Sequence, residues 1–328
     1  MQFRQEVCPM DHQAWLKTVE EFFREKNRVW LQGEEGTLLH FLSGTPAECH
    51  SFQEVRALRQ ALPARDIRYR KAKTHLQVMQ SKWNPDGETA TVDLIENVRF
   101  FYEQKGDIGH ESRRSVHRLT LLHEGGSWKV ARDIVNSEPK MLREAPTAAE
   151  QAEVIEETDA EPATREMRGR YDRVRAFKYA ELWWNGFNPA YAKMEGNDCT
   201  NYISQVVHAG GMPQIHSGSR SNGWWYRGKN WSFSWTVAHS FKLALPRLLH
   251  AQEVADPRQL KVGDIICYDW DGDGRWQHNT VVVDFDAYGR PLVNAHTIAS
   301  HRRYWDYRDS YAYTARTKYA FYHIPDNF

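Results

Sequence analysis

This chain lacks an excess of charge of either sign: 43 Lys and Arg balance 43 Asp and Glu across 328 residues. A balanced chain sets up no global field toward nucleic acid or an anionic membrane, so neither is an expected partner. Cysteine is scarce as well. The four, Cys8, Cys49, Cys199 and Cys267, are scattered without paired metal-ligand spacing, and a chain this long needs no disulfide framework, so a reduced compartment is expected. No run of about 18 apolar residues is present, which excludes an ordinary transmembrane helix. The first eight residues show no basic segment leading into an apolar stretch. No secretory signal is read there, and a cytoplasmic location is expected, with cell-wall association left open by another route.

What the chain does hold is ample core material, 41% hydrophobic and 13% aromatic residues, enough for two domains at about 150 residues each. Large apolar residues almost vanish from Ser137 to Arg170, where Glu, Ala, Thr and Pro dominate. That composition marks an acidic linker over 139–169 between an N-terminal domain, 1–138, and a C-terminal one, 170–328. In the first, Trp15, Leu16, Val19, Phe22 and Phe23 mark an amphipathic helix, and Phe52, Val55, Leu58 and Leu62 mark a second. Strand character follows over 66–83, 90–104, 113–124 and 128–135, with turns at Asn84-Pro85-Asp86-Gly87 and Glu124-Gly125-Gly126-Ser127. The expected class is α+β, and the layout resembles the cone-shaped ketosteroid-isomerase-like fold. His110, His117 and His123 lack a carboxylate or cysteine at ligand spacing, so exposed or hydrogen-bonded strand histidines are expected rather than a metal site.

Chemistry concentrates after the linker. A helix is expected over 171–184, with Val174, Phe177, Tyr179 and Leu182 inward, and a second begins at Cys199, its one face carrying Tyr202, Ile203, Val206 and Val207. Gly210, Gly211 and Pro213 end it, and Asp198 or Asn197 can cap it. A thiol in a first helical turn gains from the dipole and the free N–H groups, which favour its thiolate. Strands are expected over 262–268, 278–284 and 292–297. His278 shares a face with Thr280 and Val282, and Asn294 shares one with His296. If these strands pair, His278 can lie between Cys199 and an orienting residue, either Asn294 or His296.

These segments carry a family resemblance. The stretch 171–180, then Trp184 to Tyr191, Asp198-Cys199-Thr200-Asn201-Tyr202-Ile203-Ser204-Gln205, Trp224 to Trp235, Gly263-Asp264-Ile265-Ile266, His278 and Ala295-His296-Thr297 resemble, in order, the putative amidase domain of bacterial proteins. That family is similar to papain-like cysteine hydrolases of the NlpC and CHAP types. The resemblance implies a helix-on-antiparallel-sheet catalytic domain, Cys199 as nucleophile, His278 as base and His296 as third member, with Asn294 the alternative. It implies an amidase or peptidase working through a thioester without a cofactor, on a peptide or peptidoglycan fragment. The backbone N–H of Cys199 is one oxyanion donor. Lys193 stands where papain has its glutamine, so a second donor is unassigned.

Two further signals need weighing. Asp269, Asp271, Asp273 and Gly274 copy the first half of a calcium loop, but Thr280 stands where the closing Glu belongs, so a polar turn delivering His278 is expected and calcium is the alternative. Trp224, Trp225, Trp231 and Trp235, crowded among glycines, are candidates for stacking on sugar or gripping peptide, with about half of them expected in the core. Two other functions stay open from sequence: an acyltransferase using the same Cys–His pair, and a non-catalytic cell-wall or peptide-binding module.

Overall fold

A computed structural model describes residues 12–84, 88–135, 169–194 and 196–328. Cys8, nearly all of the expected linker and most of the Asn84 to Gly87 turn lie outside the described residues. The described chain is mixed α+β and divides into two compact units.

The first unit comprises the described residues up to 103, with 114–135 and 309–311. Its helices are α1 (His12–Gln32), α2 (Glu35–Leu39) and α3 (His50–Arg65), and its strands are β1 (Arg68–Trp83), β2 (Thr89–Gln104), β3 (Asp107–Glu124) and β4 (Ser127–Val135), the ends of β2 and β3 falling in the other unit. Their order is β1-β2-β3-β4, with β1 antiparallel to β2 and β3 antiparallel to β4. Trp15, Val19, Phe22, Phe23, Val29 and Trp30 recur at helical spacing on α1 and are buried against Leu94, Phe100, Leu119 and Leu121 of the sheet. Gly125 and Gly126, at φ +57° and +79°, make the β3–β4 turn that only positive φ at both positions allows without splaying the strands.

One residue on the buried stripe of α1 is charged. Lys26 has no solvent exposure and meets Glu54 at 2.8 Å and Glu96 at 2.9 Å. His117, expected to be exposed or hydrogen-bonded, is buried with Nδ1 2.8 Å from Asp133, which also accepts the Ser51 N–H. Burial would depress the imidazole's pKa, but the Asp133 and Glu96 carboxylates outweigh it and hold His117 up at about 9. Stability from this pair is therefore present below the ordinary histidine range and is lost as pH rises from about 6.5 through about 9. Thermal scans of His117→Gln are expected to show a flatter stability profile than the wild type over that alkaline window. Parallel profiles would contradict this.

The second unit holds 104–113, the described chain from 169 to 308, and 312–328. Its main helices are α4 (Arg173–Trp183), α5 (Cys199–Ala209), α6 (Phe233–Thr236) and α7 (Ala238–Leu248). The short strands β5 (Tyr226–Arg227) and β6 (Asn230–Trp231) form a hairpin, and the main sheet adds β7 (Gln252–Val254), β8 (Ile265–Asp269), β9 (His278–Phe285), β10 (Pro291–Ala295), β11 (Ala299–Tyr304) and β12 (Lys318–His323). The sheet order is β11-β10-β9-β8-β12-β7, with β9 at its centre. One face, through Ile265, Cys267, Val281 and Val283, packs on the helices; the other, through Ile266, Tyr268, Val282 and Val293, builds a separate core. On α4 the inward residues are Ala176 and Ala180, whereas Val174 and Leu182, expected inward, are exposed. The small alanines let α4 approach the α5 layer closely, and the larger side chains turn outward.

Candidate active site

The helix that begins at Cys199 is buried along residues 199–207, and its polar side chains are spent inside the unit. The Trp235 indole donates to Asn201 at 3.0 Å, the Trp224 indole to Ser204 at 3.0 Å, and the Tyr179 hydroxyl to Gln205 at 2.6 Å. Tyr202 donates to the Ala180 carbonyl at 2.8 Å. A fully buried helix with polar residues on several sides is tolerated because each of these groups finds a partner.

Cys199 stands at the first turn, as expected, and has no solvent exposure. Its thiol donates to Asn197 Oδ1 at 3.4 Å, and Thr200 Oγ1 lies 3.7 Å from the sulfur. Burial pushes the thiol up, offset in part by the Thr200 hydroxyl, the Asn279 backbone N–H and the Thr297 hydroxyl. The expected depression of this pKa by the helix terminus is thus outweighed by desolvation. Cys49 and Cys267 are also buried and raised.

His278 is not brought to Cys199. Strand β9 pairs Cys267 with Asn279 and Tyr268 with His278, and successive side chains on a strand face opposite ways. Asn279 therefore takes the helix side, where its amide donates to Thr200 at 3.0 Å. His278 falls among Tyr268, Trp270 and Tyr307, with ring centroids 5.5, 5.9 and 5.5 Å away. Neither ring nitrogen has a hydrogen-bond partner. Burial, with Arg303 adding to it, pushes the imidazole down to about 3. A histidine kept neutral in the fold but protonated when unfolded makes stability fall as pH drops from about 6.5 toward about 3. The unpartnered nitrogens also carry a desolvation penalty. His278→Phe is expected to leave stability at pH 7 unchanged or raised by about 1 kcal/mol and to reduce the acid sensitivity. Denaturant melts at pH 5 and 7 measure this, and a loss of several kcal/mol would overturn it.

The imidazole on the helix side is His296. Its Nδ1 lies 2.5 Å from Asp198 Oδ2 and its Nε2 2.7 Å from the Trp183 carbonyl oxygen. Both ring nitrogens therefore face oxygen atoms, a carboxylate at Nδ1 and a backbone carbonyl at Nε2. Tyr202 stacks on the ring at 4.0 Å, 12° from parallel. Asn294 lies on the same side, paired across from Val281, but its amide goes to Glu181 at 3.1 Å and its oxygen accepts the Arg302 N–H at 2.8 Å. It braces α4 and β11 and does not orient an imidazole.

Asp198 is the residue that sequence reasoning assigned too small a part. It occupies the N-cap position without a side-chain capping bond. Its carboxylate instead accepts from Met194 N–H at 3.0 Å, Asn201 Nδ2 at 2.8 Å and His296. An acid directly ahead of a candidate nucleophile was the available signal, but the partner 98 residues away could not be read.

The remaining candidates are placed as follows. Trp224, Trp225 and Trp235 are core, and only Trp231 is partly exposed, stacked on Tyr226 at 5.7 Å. Lys193 places its ammonium over the Phe187 ring, 4.7 Å from the centroid. Asp269 is buried and accepts the N–H groups of Gly272 and Gly274 at 2.8 and 2.9 Å, and Asp273 accepts the Arg275 N–H at 2.8 Å. Those carboxylates tie the turn. Among the described residues no cluster of His, Cys, Asp or Glu is arranged to hold a metal ion, and no helix is long and apolar enough to cross a membrane.

The candidate site is thus a cysteine heading a buried helix, packed on an antiparallel sheet beside an acid–imidazole pair. The family model described as putative amidase domain matches residues 170–322, and the chain belongs to that family. It is 38% identical over 275 residues to uncharacterized protein YhbB of Bacillus subtilis (strain 168), covering 82% of this chain and 85% of that protein. It is 28% identical over 137 residues to uncharacterized protein YjcM of the same organism, covering 39% of this chain and 31% of that protein. The crystal structure of the intermembrane space region of chloroplast protein ARC6 is similar at a TM-score of 0.31 and 14% identity, covering 38% of this chain and 96% of that one.

Proposed function

We propose that the second unit is a cysteine-dependent amide-bond hydrolase of papain-like type, an amidase or peptidase acting on peptide such as that of peptidoglycan. Cys199 is the nucleophile, and His296, held by Asp198, handles the proton. One observation carries this: the carboxylate bonded to His296 Nδ1 belongs to the residue next to Cys199 in the chain, which puts acid, imidazole and thiol in one buried neighbourhood. His296 enters the reaction neutral, with Nδ1–H on Asp198 and Nε2 released from the Trp183 carbonyl. Nε2 takes the thiol proton as Sγ attacks the amide carbon, and the oxyanion accepts from the Cys199 N–H. The imidazolium gives that proton to the leaving amine, a thioester remains, and neutral His296 then draws a proton from the water that releases the acid and returns it to sulfur.

A second reading, a peptide- or wall-binding module without turnover, is favoured by one fact: among the described residues no imidazole nitrogen is hydrogen-bonded to Cys199 Sγ. Mass spectrometry of purified peptidoglycan incubated with wild type and with Cys199→Ala separates the two. New free acid and amine ends with the wild type alone support hydrolysis. Identical patterns, together with retained sedimentation of protein with the polymer, support the binding module. Transfer to an added amine in place of a free acid would mark an acyltransferase.

A further inference from the structure

Strand β9 sends Asn279, Val281 and Val283 to the face that packs on the helices, and Asn279 is the polar one of the three. An amide is out of place there: asparagine is depleted in strands, and its neighbour across the ladder, Cys267, belongs to the apolar core. Asn279 has no solvent exposure, and its Oδ1 is buried without a hydrogen-bond partner. Such an orphan costs stability that an apolar residue would not, and it calls for a use. Its Nδ2 supplies one, donating to Thr200 Oγ1 at 3.0 Å. Thr200 is also fully buried, follows Cys199 in the first turn of α5, and places Oγ1 3.7 Å from the sulfur. The hydrogens around that sulfur are then accounted for. Cys199 donates its thiol hydrogen to Asn197 Oδ1 at 3.4 Å, and the Asn279 amide takes a lone pair of Oγ1, so the Thr200 hydrogen is the one directed at Sγ. Among the described residues the Thr200 hydroxyl has no other acceptor.

We infer that Thr200 is a further catalytic residue of this site: its hydroxyl, held by the Asn279 amide, donates a hydrogen bond to the Cys199 sulfur and shares the negative charge left there when the thiol proton passes to His296. Asn279 is a positioning residue, acting through Thr200. This role rests on the reading of Cys199 as nucleophile, and the contacts from Asn279 to Thr200 to sulfur carry it. A neutral sulfur accepts hydrogen bonds weakly and a thiolate accepts them strongly, so the bond strengthens as the charge develops. Removing the hydroxyl therefore disfavours the thiolate. Valine keeps the branched shape of Thr200 without the hydroxyl, alanine drops both, and serine keeps the hydroxyl alone.

The test is the pH midpoint of Cys199 ionisation in the full chain, read as ultraviolet thiolate absorbance after subtracting the same variant carrying Cys199→Ala, so that no reagent has to enter the buried site. The midpoint is expected to rise by about one unit in Thr200→Val and Thr200→Ala, about a tenfold smaller thiolate fraction, and to stay put in Thr200→Ser. Asn279→Leu is expected to raise it by a smaller step in the wild-type background and by nothing in Thr200→Val, the signature of action through Thr200. Circular dichroism checks that each variant is folded. A wild-type midpoint in Thr200→Val and Thr200→Ala overturns the role of Thr200 and leaves the nucleophile reading intact. An equal Asn279→Leu shift in both backgrounds overturns the positioning role of Asn279. Identical peptidoglycan products from wild type and Cys199→Ala overturn the nucleophile reading, and the catalytic role of Thr200 with it.

Discussion

Asp198→Asn is expected to lower amide hydrolysis by about 10³- to 10⁴-fold while leaving the α5 helix folded. The carboxylate accepts from Met194 N–H, Asn201 Nδ2 and His296 Nδ1. An asparagine oxygen can keep the first two bonds, but it turns its NH₂ group toward the imidazole. His296 Nδ1 must then accept instead of donate, which puts the hydrogen on Nε2 and removes the lone pair that would take the thiol proton. The loss should fall on kcat, since none of these atoms is placed to hold substrate. Turnover of purified peptidoglycan by mass spectrometry, with circular dichroism as the folding control, measures it. An Asn variant as active as wild type would remove His296 and Asp198 from the mechanism.

Lys26→Met is expected to destabilise the first unit by about 3–5 kcal/mol. The Lys26 ammonium is fully buried and ion-paired with Glu54 and Glu96. Burial opposes its charge, yet the two carboxylates outweigh that and raise its pKa. Methionine matches the length of the stem and suits the surrounding Phe23 and Trp30 rings, so the loss isolates the charge. Both carboxylates would lose the ammonium, Glu96 keeping the His117 ring 3.3 Å away, and removing one partner of a buried ion pair carries a greater penalty than the absence of the whole pair. Lys26→Met with Glu96→Gln should therefore recover part of the stability. Urea unfolding of the single and double variants reports this, and a single variant within about 0.5 kcal/mol of wild type would contradict it.

Much of this architecture was legible because apolar spacing writes it directly. Trp15, Val19, Phe22 and Phe23 turned out to be one buried face of α1, and Tyr202, Ile203, Val206 and Val207 the buried face of α5. The strands over 68–83 and 128–135 appeared where β-branched and aromatic residues alternate between turn sequences. Lys26 escaped notice because a single lysine at a stripe position is ordinarily a solvated neighbour of the stripe. Its partners Glu54 and Glu96 are 28 and 70 residues away, and ion pairs over such distances leave no local pattern. About half of the four tryptophans are expected in the core from sequence, and three of them are there, where Ser204 and Asn201 accept the Trp224 and Trp235 indole N–H groups.

The sequence by itself determined that Cys199 heads an amphipathic helix, that His278 opens a strand, and that Asn294 and His296 share a strand face, since each follows from local period and composition. Only the tertiary structure decided which of these groups meet. Side chains on a strand alternate with period two, so pairing Cys267 with Asn279 sends Asn279 to the helix face and His278 to the opposite core. The same register keeps Asn294 across from Val281 on the helix side and, one turn on, sets His296 against Asp198. A one-residue choice of face, made by the packing of two cores against one sheet, thus moved the candidate imidazole from His278 to His296.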